Sequence, residues 1–444
     1  MNLLTAVRTA ALCLPLSLSA QSGFDVALIG DVPYGAAAEP RYENMIADIN
    51  KSGADMTFHI GDTKSGSTRC DNTHYTKTLS YFNSFDKPVI YSVGDNEWTD
   101  CMRTNNGGFD PLERLALVRK TYFSTNMSLG RRPIALQRQS EDPKYALYVE
   151  NSMLVKAPAV FVTIHMPGSN NNLQYKLNQG VANTFYDPED KEYTARNAAN
   201  LAWLSKAFQT AKATNSLGIM ILVQANVFEA FMETTTGNTK SGFREFVSLL
   251  REETNKFKGE VVMVNGDTHY MRVDKPLTAQ FPACLSATGD CKPFEAAPDA
   301  RGARVLNLTR AEVPGSGDVH WMICHVRPNS RNIFQFEFMI MPTAVAPAGV
   351  TAVVIGPGVP VTENLYETGS SQIGLDGSKS LSSNSGDLTY SWRNAPGYPP
   401  AGIVNADTAT PLIQFGFRGL YQFTLTVTDR TGGSASSTVS VRYY

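Results

Sequence analysis

The sequence predicts two units. The first is α/β, with a sheet, or two packed sheets, flanked by helices. The second is a small all-β sandwich of the immunoglobulin type. Three observations carry this reading. Apolar runs ending in Gly-Asp recur at Phe24–Asp31, Met56–Asp62, Pro88–Asp95 and Glu260–Asp267, with helical stretches between the first three. Helical spacing then disappears beyond about residue 340, where short alternating runs take over. At 444 residues the chain is also too long for one ordinary core, which favours two domains.

Taken in order, Met1–Ala20 carries Arg8, an apolar stretch Thr9–Leu18 and the small residues Ser19-Ala20, the form of a secretory signal peptide. It is too short to span a membrane as a helix. The expectation is export, extracellular or periplasmic, with no membrane anchor. Strand Phe24–Asp31 comes next, then a helix over Glu39–Ser52 with Met45, Ile46 and Ile49 on one face and Gly53 as its stop. A strand at Met56, a helix over Asn72–Phe85 and a strand at Pro88 follow. Asp110-Pro111-Leu112-Glu113 is a helix start, with Asp as cap and Pro in the first turn. Tyr145–Glu150 and Ala157–His165 read as a strand pair, Thr194–Ala213 as a long helix, Gly218–Gln224 as a buried strand and Lys240–Lys256 as a helix. The fourth Gly-Asp strand precedes three more strands over Arg304–Ile340. The expected boundaries are 22–341 for the α/β unit, 342–360 for a Pro/Ala/Val/Gly-rich linker and 361–444 for the β-sandwich.

Hydrophobic content of 42% against 18% charged residues marks a globular chain rather than a disordered one. The net charge of −2, with no long basic run, argues against nucleic acid as a partner. Of six cysteines, Cys13 leaves with the signal segment. Cys70 and Cys101 follow the second and third Gly-Asp ends and would pair if those loops crown neighbouring strands. Cys284 and Cys291 form a second expected pair, and Cys324 is expected as a buried free thiol.

Four carboxylates at strand ends would converge on one rim and repel one another. A bound cation is the simplest remedy. The rim set is Asp31, Asp62, Asp95, Asp267 and His269, an oxygen-rich group with one imidazole that suits hard or borderline divalent ions. Two such ions, bridged by a carboxylate, would clamp a phosphoryl group and activate water. Lys64, Asn96, Glu97 and Thr268 stand beside these residues in sequence. His165 ends its own strand beside Ser169-Asn170-Asn171-Asn172, where a structural histidine and an acid or phosphate ligand are both open readings. His59 and His320 read as structural.

In order and strand context the chain resembles the calcineurin-like metallophosphoesterase superfamily over roughly residues 24–341. The matching positions are Asp31-Val32-Pro33, Gly61-Asp62-Thr63-Lys64, Gly94-Asp95-Asn96-Glu97 and Gly266-Asp267-Thr268-His269. The resemblance implies a β-sandwich flanked by helices. It implies that Asp31, Asp62 and His269 hold a first metal, with Asp62 bridging to a second. It places Asp95, Gln224 and Asp267 as the remaining ligands. The metals implied are divalent and two in number, with Mn, Mg, Ca, Fe and Zn not distinguished. Pro33 stands where the family has a histidine. Asp95 replaces an asparagine, Asn96 the histidine that protonates the leaving group, Gln224 or Asn226 a histidine ligand, and Asp267 another histidine. Nitrogen ligands thus give way to oxygen.

The resemblance implies an exported metal-dependent phosphoesterase that hydrolyses a phosphate mono- or diester with metal-activated hydroxide, with a phosphorylated substrate as its partner. Asn96, His165 and Lys64 are the candidates to touch that substrate, Asn96 only as a ligand because an amide does not titrate. The alternative is a non-catalytic exported binding protein on a degenerate phosphoesterase scaffold. The last hundred residues, with LDGSKSL, YSW and GLYQFTLTVTDRTGGSAS, resemble the PKD-type domain of secreted proteins. That resemblance implies a spacer or a module that binds carbohydrate or protein.

Overall fold

The apolar runs become strands whose side chains are buried on both faces. The computed structural model describes residues 22–444 apart from 37, 174–176, 179–180, 229–240, 280–302, 342–349, 358–364, 383–387 and 431. The expected signal segment and the expected Cys284–Cys291 pair lie outside the described residues. One sheet is built from β1 (Phe24–Ile29), β2 (Met56–His59), β3 (Val89–Tyr91), β13 (Trp321–Val326) and β14 (Phe334–Met339). Their order across the sheet is β14-β13-β1-β2-β3. β1, β2 and β3 are parallel, and β13 closes antiparallel on β1.

The strands of the second sheet are β4 (Gln137–Arg138), β5 (Ser152–Lys156), β6 (Ala159–Thr163), β9 (Gly218–Leu222), β10 (Glu260–Asn265), β11 (Arg272–Asp274) and β12 (Leu308–Glu312). This sheet runs β11-β12-β10-β9-β6-β5-β4. A separate two-residue hairpin, β7 (Leu177–Asn178) and β8 (Val181–Ala182), precedes β9. β6, β9, β10 and β12 are mutually parallel.

The two sheets face each other across one apolar layer. Phe58, Met56 and Leu28 from the first sheet meet Phe161, Met220 and Val262 from the second. The Phe58 and Phe161 rings are stacked with centroids 5.4 Å apart. Helices cover both outer faces. On the first sheet these are α1 (Glu39–Ser52), α2 (Asn72–Phe82) and α3 (Pro111–Tyr122). On the second they are α4 (Lys191–Ala213) and α5 (Arg244–Lys256). The expected stripe of α1 is buried as Tyr42, Met45, Ile46 and Ile49, and Gly53 stops the helix at φ 81°. Asp110 caps α3 by accepting from Leu112 N–H. The described elements from Phe24 to Met339 therefore form a four-layer α/β/β/α sandwich, of the two-sheet form rather than the single sheet.

Two expectations are corrected. Tyr145–Glu150 is not a strand. Pro143–Tyr145 forms a 3₁₀ turn capped by Asp142, and the strand that pairs with β6 starts at Ser152. The long helix begins at Lys191, three residues before Thr194.

The C-terminal residues fold into β-strands alone. β16 (Leu365–Thr368), β23 (Ser434–Tyr443), β22 (Gly419–Thr428) and β19 (Thr389–Asn394) make one sheet. β17 (Gln372–Gly374), β21 (Leu412–Gln414) and β20 (Gly402–Val404) make another. Alternate residues of β22 point inward, so Tyr421, Phe423, Leu425 and Val427 pack with Trp392 and Ile413. The Tyr421 hydroxyl donates to Phe417 O at 2.6 Å, a tyrosine corner that fixes the turn into the strand. Within the stretch read as a linker, β15 (Val350–Thr351) pairs with β18 (Leu381–Ser382), and Val350 and Val354 join this core.

Cys70 and Cys101 are joined, as their position after neighbouring strands implies, and Cys324 is free and buried. The bond spans a separation of 31 residues and ties the end of the loop after β2 to the loop after β3. Replacing both cysteines by alanine is expected to lower unfolding free energy by about 3–4 kcal/mol on the chain-entropy estimate. A urea melt checks this, and an unshifted midpoint would contradict it.

Candidate functional site

All strands that end in Gly-Asp run parallel to a neighbour and finish on the same rim, where α/β sheets collect their ligands. The chain has to leave each strand sharply for this to happen. Asp31, Asp62 and Asp267 take left-handed φ values of 54°, 52° and 74°, and His269 takes 62°. Such backbone is uncommon for residues other than glycine and gathers at functional sites. The turn is tight enough that a Cβ added to Gly94 would collide with Asp62 Oδ1, and one on Gly266 with Asp31 Oδ2.

Asp31, Asp62 and Asp95 are buried, Asp267 is half-buried, and the four are interlocked. Asp267 N–H donates to Asp31 Oδ1 at 3.1 Å, which ties the second sheet to the first. Gln224, past the end of β9, donates its amide to Asp62 Oδ2 at 3.1 Å and Asp95 Oδ1 at 3.3 Å. Asn96 donates to Asp62 twice, from its side chain to Oδ2 at 2.8 Å and from its backbone to Oδ1 at 3.2 Å. The Tyr34 hydroxyl lies 3.3 Å from Asp62 Oδ2, 3.4 Å from Asp31 Oδ1 and 3.4 Å from His269 Nε2. His269 also faces Asp31 Oδ1 at 3.4 Å.

Two buried glutamates hold the turns in place. Glu97 accepts from the N–H groups of Gly94 at 2.9 Å, Asp62 at 3.2 Å and Thr63 at 2.5 Å. Glu312, at the end of β12, accepts from Thr268 Oγ1 at 2.5 Å and Tyr270 N–H at 3.0 Å. Arg272 Nε donates to the other oxygen of Glu312 at 2.8 Å. Each sheet thus fixes its Asp turn through one carboxylate below the rim.

The electrostatics follow from this crowding. Burial first, then the charges of Asp95, Glu97 and Asp31, push the Asp62 carboxyl well above its usual range. Burial followed by Asp95 and Asp31 does the same to Asp267, and burial raises Asp95 against its bond from Ser169. For His269 burial acts downward, but the bond to Asp31 and the charges of Asp31 and Asp267 outweigh it and lift the imidazole to about 9. Burial, then the charges of Asp62 and Asp31, raises the Tyr34 phenol, which therefore stays a donor.

Asp31, Asp62, Asp95, Asp267, His269 and Asn96 therefore come together. Three other sequence-predicted residues have partners that bear on the roles expected of them. His165 is buried and its ring is bonded to Glu150. Its Nδ1 bonds Glu150 Oε1 at 2.8 Å and its ring packs edge-on to Trp98. Burial would raise Glu150, but Arg119 and His165 hold it at about 2, and burial pushes the His165 imidazole down, so His165 is a neutral hydrogen-bonded neighbour of the Arg119–Glu150 pair. Lys64 is 1% exposed and donates to Ser65 O at 3.1 Å, which makes it an internal counter-charge rather than a contact for substrate. Gln224 spends its carbonyl oxygen on Gly168 N–H at 2.5 Å and turns N–H groups toward the aspartates, so it ties carboxylates and offers no lone pair to a metal. Tyr34, Ser169 and Glu312 escape sequence reasoning as site residues. The Pro33-Tyr34 that follows Asp31 is a signal for the first; nothing local marks the other two.

A cation suits this donor set in charge and in kind. The described cations that act on these carboxylates and Glu97 include His269, Lys64 and the Asp100-paired Arg103. Among the described residues, no three His, Cys, Asp or Glu side chains are already spaced as a coordination shell. Asp62 Oδ2 is engaged by Asn96, Gln224 and Tyr34.

Carboxyls raised on folding bind more protons in the folded chain than in the unfolded one, so stability falls as pH rises. The contribution of His269 has the same sign. It is complete below its unfolded value and is lost as pH rises through about 9. Chelator-treated protein is therefore expected to melt at a lower temperature at about pH 8.5 than at about pH 5.5, and Asp62→Asn should flatten the slope. Thermal melts across that range check it. A melting temperature that rises with pH would contradict it.

No curated protein matches the chain by sequence. Among solved structures it is similar to a dimetal phosphatase from Danio rerio, at 11% identity over 71% of this chain and 98% of that one, with a TM-score of 0.38. It is similar to the PKD domain of the KIAA 1837 protein at 27% identity, covering 20% of this chain and 83% of that one, with a TM-score of 0.16. It is also similar to the PKD1 domain of Vibrio anguillarum Epp at 18% identity, covering 21% and 93%, again at 0.16. Residues 367–442 match a family model described as a PKD domain, which is the all-β unit of the fold.

Proposed function

We propose that residues 22–341 form a divalent-cation-dependent phosphoesterase, carried on an exported chain whose residues 361–444 are a binding module for carbohydrate or protein. One observation carries the reading. Three buried carboxylates and the half-buried Asp267, from strand ends of two sheets, meet at one rim, and burial with the neighbouring charges opposes ionisation of Asp62 and Asp267. Asp31, Asp62 and His269 are the residues that would hold one ion, and Asp62, Asp95 and Asp267 a second. Bound there, divalent ions supply activated water and counter-charge for a transferring phosphoryl group.

The chain's own residues do the rest. Glu97 and Glu312 hold the turns that present the aspartates. Tyr34 and Asn96 place N–H and O–H donors beside Asp62, where a phosphoryl oxygen has need of them. Asn96 has no proton to give, so any protonation of the leaving group falls to another donor. Export is supported by the buried Cys70–Cys101 bond, which suits an oxidising compartment. No described helix is long and apolar enough to cross a membrane.

A non-catalytic binding scaffold is a second reading. It is favoured by the neutral donors that already engage Asp62. Elemental analysis of purified full-length chain, wild type against Asp62→Asn, separates the two. Stoichiometric divalent metal is expected in wild type and lost in the variant. Hydrolysis of p-nitrophenyl phosphate or its bis-ester is expected to fall roughly a hundredfold or more in the variant. Wild type that holds no metal and cleaves neither ester would leave the scaffold reading.

A further inference from the structure

We propose that the cavity between the edge strand β4 and helix α4 is a second binding site, which takes a small oxyanion, carboxylate or phosphate, on Arg138, Lys206 and Trp203. Its volume is about 450 Å³, within the roughly 300–1,000 Å³ of small-molecule pockets. None of the rim aspartates lines it, so the inference stands apart from the cation reading. β4 is the last strand of the second sheet and pairs with β5. Gln139, just past β4, donates its amide to Ala199 O of α4 at 2.7 Å and accepts from Asn151 at 2.7 Å. Buried bonds thus tie the two walls of the cavity together.

Arg138 is the anomaly. It is 5% exposed and lies over the Phe123 ring, 5.4 Å from its centroid. Of its guanidinium nitrogens only Nη2 is bonded among the described residues, donating to Met127 O at 3.0 Å. Nε has no acceptor. Two carboxylates act on Arg138 through space, Glu150 and Glu141. Glu150 gives its oxygens to Arg119 at 2.6 and 3.0 Å, and Glu141 accepts from the Arg138 backbone N–H at 3.3 Å. Burial therefore prevails and lowers the guanidinium to about 10. Buried charges are ordinarily paired, and a planar guanidinium is fitted to the oxygens of carboxylate or phosphate.

The helix wall has the same need. Trp203 is 5% exposed, and its Nε1 has no acceptor. An indole N–H can only donate. Lys206, three residues on, is exposed on the same lining and makes no ion pair among the described residues. The lining also holds Glu141 and Asp142, and both are engaged by turn N–H groups, Asp142 by that of Lys144 at 2.9 Å. What the cavity lacks is an acceptor, and an oxyanion supplies several at once. Trp203 Nε1 and Arg138 Nε are sealed from water. An anion seated on Arg138 Nη1 and Lys206 reaches them by a side-chain shift and displaces no protein partner.

The test is calorimetric titration of chelator-treated full-length chain with sodium phosphate and with disodium succinate, at constant ionic strength. Wild type is expected to bind one of them saturably, and the tighter of the two identifies the ligand as phosphate or carboxylate. Arg138→Gln is expected to weaken that binding roughly tenfold or more, and Lys206→Ala severalfold. Asp62→Asn is expected to bind as wild type does, which separates this site from the rim. Arg138 also packs on Phe123, so a thermal melt checks that its variant folds; the exposed Lys206 decides the matter if it does not. Absence of saturable binding of either anion overturns the proposal. So does an affinity unchanged in Lys206→Ala, or one lost in Asp62→Asn.

Discussion

Mutual repulsion of carboxylates kept out of water is the constraint on which this molecule turns. Asp31, Asp62 and Asp95 are buried and Asp267 is half-buried beside them, and burial together with the charges of their neighbours makes Asp62 and Asp267 harder to ionise. The protein meets that cost locally. Asn96, Gln224, Ser169 and Tyr34 aim donors at the aspartates, and Glu97 and Glu312 collect the N–H groups of the turns that carry them. Buried carboxylates that accept several backbone donors are the usual way to fix strained turns, and here two of them serve opposite sheets.

The fold was legible in the sequence because the device repeats. An apolar run stopped by Gly-Asp is visible four times, and parallel strands can only bring those stops to one rim. The alternation of Tyr421, Phe423, Leu425 and Val427 made the last domain similarly plain. The pairing of Cys70 with Cys101 follows once β2 and β3 are neighbours.

The members of the site were less legible, because membership depends on which way a side chain turns. His165 ends a strand like the aspartates do, yet Glu150 captures its ring. Lys64 adjoins Asp62 in sequence and is nevertheless sealed inside. Gln224 stands at the right strand end, but the single N–H of Gly168 fixes its amide the wrong way round for a ligand. Ser169 and Glu312 enter from segments whose local sequence has no periodicity or turn signal that points at the rim. Only the packing of β6 and β12 against their neighbours brings them there. Tyr145–Glu150 misleads for a related reason, since Asp142 and Pro143 start a 3₁₀ turn inside a stretch whose apolar content suits a strand.

The rim is a seam. Asp31, Asp62 and Asp95 belong to one sheet and Asp267 to the other, and the bond from Asp267 N–H to Asp31 crosses between them. The gap between the sheets is set far from the rim by the layer in which Phe58 lies on Phe161. Thickness in that layer is therefore a spacer for the carboxylates. Trimming or enlarging a ring there would shear one half of the site past the other. The protein's most hydrophobic residues act, in effect, as the calibration of its most polar ones.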